Sequence, residues 1–188
     1  VLDDLPDGYQ VAVENSAIVY DDGEGTVSTI VCNWFGAGNA GLADPDNDSS
    51  IQSYANIYDQ NWLMKGNVMI APGVERVDTL KTSDGYEMKS VWSRNDLRDT
   101  AIMKLSTATG YIYGYVQDLD TGMWQYIILD FATGETVFTM DVSNKYGYNN
   151  MAIGMYTGSN GNTLYCPTGY LELLRLQDRF VYLPELPY

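Results

Sequence analysis

The sequence predicts an all-β fold of antiparallel meander sheets, and two observations carry this prediction. The first is a run of Thr-Gly pairs at Thr109-Gly110, Thr121-Gly122 and Thr133-Gly134, spaced by twelve residues, with a further pair at Thr168-Gly169. The second is the content of the segments between them, which are rich in β-branched and aromatic residues: YIYGYVQD, MWQYIILDF and ETVFTMDV. Glycine supplies the positive φ that tight turns need. We therefore expect consecutive strands joined by glycine turns over 102–177.

Composition supports one β domain over 1–188 and excludes several functions. Sixteen Tyr and 18 Gly favour strands and turns over helices. The net charge of −15 repels phosphate groups, which argues against nucleic-acid binding and against anionic membrane surfaces. The chain has no histidine, so it lacks the commonest general base and any Ser-His-Asp device. No apolar run approaches the ~18 residues of a membrane helix, so we expect no membrane insertion.

The first half of the chain contains one hairpin and one long loop. The segments VAVENSAIVY and TVSTIVCNWF flank the turn sequence DDGEG, which predicts two paired strands. Residues 36–50 (GAGNAGLADPDNDSS) are polar and glycine-rich, which predicts a loop of a length that is usually functional or mobile. Residues 51–65 are compatible with a short helix.

The middle of the chain returns to strands. NVMIAPGVERVDTL reads as two strands broken at Pro72-Gly73, and the turn TSDG leads into the strand YEMKSVWS. The connection SRNDLRDT carries Arg94, Asp96 and Arg98, which we expect to form local ion pairs on a solvated loop.

A repeated pattern points to a particular sheet arrangement. LSTATGYIYGYV from Leu105, LDFATGETVFTM from Leu129 and LYCPTGYLELLR from Leu164 all fit Leu-x-x-x-Thr-Gly followed by an apolar strand. Meanders repeated in series are the units of β-propellers, and a β-sandwich is the alternative. At ~40–50 residues a blade, the chain could hold about four blades, either as a small closed propeller or as part of a larger one.

Two segments also resemble a known family. YIILDFATGETVF, with its Asp, Thr-Gly and terminal aromatic residue, is similar to the outer-strand repeat of quinoprotein-type (PQQ-like) β-propellers, and RVDTLKTSDGYEMKSVW resembles the same pattern with an insertion. The resemblance implies a propeller fold. It does not imply a quinone cofactor, because most propellers with such repeats bind none.

The acidic stretch within the long loop is a candidate calcium site. Asp44, Asp46 and Asp48 alternate along it, and carboxylates so spaced can converge on one hard cation. The EF-hand pattern then fails, because Ser49 stands where glycine is needed and Ala55 where glutamate is needed. A calcium loop of another type and a solvated acidic loop are the two interpretations.

Aromatic and acidic side chains supply the remaining candidates. Stacking platforms for sugars could be formed by the four tryptophans, Trp34, Trp62, Trp92 and Trp124, although core packing is the commoner role of aromatic residues on strands. A glycoside hydrolase needs two carboxylates across a cleft, and Glu75, Glu87 and Glu135 lie on predicted strands or their edges with nothing in the sequence to pair them.

The two cysteines allow two interpretations. A disulfide between Cys32 and Cys166 would join the first predicted hairpin to the last one and would indicate an oxidising compartment. Two buried thiols in apolar strands are the alternative.

Together these features predict an extracellular or periplasmic, secreted binding or structural module. It would be stabilised by calcium and would bind a glycan or another protein chain. A carbohydrate-active hydrolase using a carboxylate pair and a fragment of a quinone-dependent oxidoreductase are the alternatives.

Overall fold

A computed structural model describes residues 9–10, 16–32, 69–70, 73–99, 101–118, 121–144, 148, 154–158, 163–167 and 173–177. These residues form an all-β structure, as predicted, and within them no helix has the length and apolar character needed to cross a membrane. The strands in chain order are β1 (Tyr9–Gln10), β2 (Ile18–Asp21), β3 (Thr26–Cys32), β4 (Met69–Ile70), β5 (Val74–Thr82), β6 (Gly85–Arg94), β7 (Arg98–Asp99), β8 (Lys104–Ser106), β9 (Tyr111–Gln117), β10 (Trp124–Asp130), β11 (Thr136–Ser143), β12 (Tyr156–Thr157), β13 (Thr163–Pro167) and β14 (Leu173–Gln177).

The described strands form three antiparallel sheets that follow one another along the chain. Sheet 1 has the order β2-β3-β5-β6. Sheet 2 has the order β11-β10-β9-β7, with β8 also paired to β9. Sheet 3 has the order β12-β13-β14. A separate two-residue pairing joins β1 to β4 in parallel.

The predicted turns lie where the sequence places them. Asp22–Gly25 links β2 to β3, and the glycines of three Thr-Gly pairs have nearly the same φ of 72°, 71° and 73° at Gly110, Gly122 and Gly134. The hairpins β9–β10 and β10–β11 are therefore confirmed as consecutive antiparallel pairs. The Thr168-Gly169 pair and residues 51–65, which are compatible with a short helix, lie outside the described residues.

The strands β9 and β10 of sheet 2 have buried side chains on both faces, whereas its edge strand β11 is largely exposed. On β9, Ile112 and Val116 belong to a first apolar core with Ile127 and Leu129 of β10 and with residues of sheet 1. The other face of the same strands packs against sheet 3 through a second core, whose buried members are Ala101, Tyr115, Trp124, Tyr126, Met155, Leu164 and Cys166. Neighbouring residues of a strand point to opposite faces of the sheet, so each of these strands contributes side chains to both cores.

Gly114 marks the closest approach within the first core. A Cβ atom there would lie 2.7 Å from Met103 Cε and 3.0 Å from Ile127 Cγ2. The small residue in YIYGYVQ therefore lets the Met103 side chain lie directly on the strand.

Candidate functional site

Two Asp-x-x-Thr-Gly turns share one hydrogen-bonding scheme. In the first, Asp118 Oδ1 accepts bonds from the backbone N–H of Thr121 at 2.7 Å and from its hydroxyl at 2.6 Å. In the second, Asp130 Oδ1 accepts from the backbone N–H of Thr133 at 2.9 Å and from its hydroxyl at 3.2 Å. The glycine N–H closes each turn on the aspartate carbonyl. The geometry of the turn explains why aspartate and threonine occupy these positions. These residues therefore have a structural role.

The second turn is held against sheet 1 by three side chains of that sheet. Arg76 donates from Nη1 to the Phe131 carbonyl at 3.0 Å, and its guanidinium lies 3.9 Å from the centroid of the Phe131 ring. Trp92 Nε1 donates to the same carbonyl, also at 3.0 Å. Arg94 Nη1 donates to the Gly134 carbonyl at 2.8 Å. These contacts fix the position of sheet 2 on sheet 1.

Each of the two arginines is also oriented by a carboxylate two residues further along the chain. Arg76 forms an ion pair with Asp78 at 2.7 Å, with little of either side chain exposed. Arg94 forms one with Asp96 at 2.6 Å, and its hydrogen bonds to Asp96 lower the pKa of that carboxyl. The local ion pair expected for Arg94 and Asp96 is therefore confirmed.

The expectation that Arg98 lies on a solvated loop is wrong. Its side chain is fully buried, as are those of Asp99 and Glu75, and Gln117 opposite Arg98 on β9 is 1% exposed. Leu97 of the same segment belongs to the first apolar core. The short strand β7 pairs with β9, which places the end of this polar connection, residues 97–99, in the interior.

A thiol and a carboxyl group meet in this buried region. The Cys32 side chain is hydrogen-bonded to Asp99, and Asp99 Oδ1 accepts a bond from the Ala101 N–H at 3.2 Å. Burial, and secondarily the Asp99 carboxylate, raises the pKa of the Cys32 thiol well above its usual range. A thiol so held stays protonated at neutral pH and is a poor nucleophile.

Three aromatic rings form the centre of the second core. Tyr115 and Trp124 stack with centroids 5.9 Å apart, and Tyr126 meets Tyr115 edge-on at 5.4 Å. The Tyr115 hydroxyl donates to the Tyr148 carbonyl at 2.9 Å, and the Tyr126 hydroxyl donates to the Leu174 carbonyl at 3.2 Å. Burial raises the pKa of both phenols, so they act as structural hydrogen-bond donors.

The structure describes two of the four tryptophans that the sequence predicts to bind a ligand. Trp124 is fully buried beside Tyr115, so the expectation of a sugar platform is corrected there: its ring faces are covered by the protein. Trp92 is half-buried, with its indole against Gly134. Trp34 and Trp62 lie outside the described residues.

The candidate calcium ligands Asp44, Asp46 and Asp48 also lie outside the described residues. Within the described part of the chain, no group of three or more acidic or cysteine side chains is arranged to hold a metal ion.

The disulfide expected between Cys32 and Cys166 is not formed in the structure, which holds two separate buried thiols. Cys32 belongs to the core between sheets 1 and 2, and Cys166 to the core between sheets 2 and 3. Sheet 2 lies between these cores, which is the physical reason that the sulfur atoms do not meet. Core packing, the alternative interpretation, describes both residues.

The three glutamates considered for glycoside hydrolysis occupy different environments. Glu75 is fully buried on β5, whereas Glu87 on β6 and Glu135 after β10 are exposed. Sequence reasoning missed the buried residues Arg98 and Asp99, because a polar run such as SRNDLRDT carries no signal of burial. It also missed Gln117, a polar residue at the end of the strand YIYGYVQ.

Comparisons with known proteins find no relative of this chain. No protein-family model, curated protein or solved structure matches the chain.

Proposed function

We propose that this chain is a β-propeller, or part of one, that serves as a non-enzymatic binding or structural module. The observation that carries the proposal is the burial of β9 and β10 of sheet 2 on both faces, one against sheet 1 and the other against sheet 3. In a β-sandwich each sheet has one face in the core and one toward solvent. Strands buried on both faces favour a series of stacked blades instead.

The chemistry of the buried groups supports a binding role over catalysis. Cys32 is held protonated, and the phenols of Tyr115 and Tyr126 are committed to backbone carbonyls. The arginines Arg76 and Arg94 hold a turn in place and are themselves paired with carboxylates. Each of these groups has a structural task, which is what a rigid scaffold requires.

The ligand class proposed is a glycan, with another protein chain as the second possibility. Trp34 and Trp62 are the proposed stacking residues, and the loop aspartates Asp44, Asp46 and Asp48 are proposed to bind calcium. Extracellular modules use calcium sites with dissociation constants of roughly 10⁻⁴–10⁻³ M. The proposed extracellular or periplasmic location rests on this loop alone, because Cys32 and Cys166 do not form the disulfide that would also have indicated it.

A glycan array probed with labelled protein, with and without calcium, tests the proposal, and hydrolysis of chromogenic glycosides is measured in parallel. We expect retention of a glycan without turnover. Trp34→Ala and Trp62→Ala should each weaken retention, whereas Tyr156→Ala, a control at an exposed aromatic residue of β12, should not. Glycoside turnover would instead support the carbohydrate-active hydrolase. An absorbance band of a bound quinone in the purified protein would support the oxidoreductase.

A further inference from the structure

Strand β6 is an edge strand with an exposed first half. It pairs with β5 on one side, and it ends the strand order of sheet 1 within the described residues. Every residue from 81 to 89 is exposed, and Tyr86 and Met88 reach 76% and 69%. An edge of this kind presents backbone N–H and C=O groups that can pair with another strand.

The charges on this edge are arranged for self-pairing. If two copies of β6 run antiparallel with Met88 opposite its own counterpart, Glu87 of each copy lies opposite Lys89 of the other. Opposite charges in such cross-strand pairs are stabilising, and like charges are destabilising. The arrangement therefore creates two ion pairs around a central contact between methionines.

The neighbouring registers are disfavoured by the same charges. In an antiparallel pair, residues that lie opposite each other point to the same face of the sheet. A two-fold symmetric pairing is therefore centred on one residue that lies opposite its own copy, and neighbouring registers are centred on neighbouring residues. A pairing centred on Glu87 places the two glutamates opposite each other, and one centred on Lys89 does the same with the two lysines. Only the pairing centred on Met88 places opposite charges together among these three.

The apolar side chains support the same pairing. Because side chains alternate along a strand, Tyr86 and Met88 share one face of β6, where they lie beside Lys81 and Thr79 of β5. Val19 of β2 lies on the same face, as the strand pairings of sheet 1 show. Val19 is 65% exposed. Pairing centred on Met88 would place the two exposed Met88 side chains side by side, with Tyr86 of each copy on the same face.

We propose that a second copy of this chain binds along β6. The two copies form a two-fold symmetric dimer in which sheet 1 continues through residues 85–89 into sheet 1 of the partner. Beyond this segment, Trp92 and Arg94 are occupied by the Phe131–Gly134 turn, which limits the paired length. The interface is isologous, since the same patch serves both copies.

Charge reversal tests the proposal, with mass measured by sedimentation velocity over a concentration series in physiological salt. The wild-type chain should shift from monomer to dimer as its concentration rises. Glu87→Lys and Lys89→Glu should each abolish the shift, because each places two like-charge pairs across the axis. The double variant should recover it. An equimolar mixture of the two single variants should form a heterodimer, in which a chain with two lysines faces a chain with two glutamates.

Melting curves of all variants serve as the folding control. Lys89 also lies opposite Asp78 within the chain, so Lys89→Glu places two negative charges opposite each other inside sheet 1. Lys89→Gln removes the positive charge without adding a negative one, and it is therefore measured for comparison. A wild-type chain that stays monomeric at every concentration would overturn the proposal. So would single reversals that leave a wild-type dimer intact, or folded single variants whose mixture fails to associate.

Discussion

Replacing Gly134 by alanine should destabilise this protein much more than the same replacement at Gly110. The two glycines occupy equivalent positions in their turns, with φ of 73° and 72°. A Cβ atom on Gly134 would lie 2.6 Å from Cδ2 and 2.8 Å from Cε3 of the Trp92 indole. A Cβ atom on Gly110 would meet nothing within 4 Å. Gly110→Ala is therefore the matched control, in which backbone strain acts alone.

The expected magnitudes follow from these two effects. A left-handed conformation costs an alanine about 1–2 kcal/mol, and this cost applies at both sites. Forcing an extra methyl group into a packed contact costs about 1–3 kcal/mol more, and this cost applies only at Gly134. We expect losses of about 1–2 kcal/mol for Gly110→Ala and about 2–5 kcal/mol for Gly134→Ala. In a chain of this size each kcal/mol lowers the melting temperature by roughly 2–4 °C.

A double-mutant cycle tests whether the additional loss of stability in Gly134→Ala comes from contact with Trp92. Denaturant unfolding is measured for each glycine variant in the wild-type background and in the Trp92→Ala background. Trp92→Ala is itself destabilising because it removes the bond to the Phe131 carbonyl, but it opens the space that the methyl group needs. In that background the two glycine variants should cost the same. Equal losses in the wild-type background, or an excess that persists without the indole, would refute the steric argument.

The other predictions concern titratable groups. Thiol titration should find two reactive thiols in the denatured, unreduced protein and almost none in the native one, because Cys32 and Cys166 are buried; one thiol or none after denaturation would contradict the structure. Stability should decrease as the pH rises above about 9, because the folded pKa values of Cys32, Tyr115 and Tyr126 exceed the ordinary values of 9.0 and 10.0, so the unfolded chain loses these protons first. Each group that stays protonated in the folded state lowers the free energy of unfolding by roughly 1.4 kcal/mol per pH unit. Urea unfolding at a series of pH values measures this loss. A free energy of unfolding that stays constant from pH 8 to about 11 would contradict the prediction. Chelation should lower the melting temperature if the acidic loop binds calcium, with roughly 2.7 kcal/mol of stabilisation at a hundredfold excess over the dissociation constant. Asp46→Ala should abolish this sensitivity, and melting that is indifferent to calcium and chelator would leave the loop as a solvated turn.

Local sequence determined the strands and turns because their signals act over a few residues. A glycine at φ near 72° and an aspartate that accepts bonds from a threonine three residues later define a hairpin turn without help from the rest of the chain. The alternation in YIYGYVQ likewise fixes which residues share a face. The all-β class and the consecutive hairpins between β9 and β11 could therefore be predicted.

Tertiary structure alone decided which face each side chain packs against, because that depends on the order in which sheets stack. Trp124 and Cys166 lie in one core and Cys32 in the other, although all three come from similar apolar strands. The sequence predicts a solvated Arg98 because charged residues are usually exposed, yet β7 places Arg98 and Asp99 in the interior beside β9. Burial is a property of distant segments brought together, and no local pattern records it.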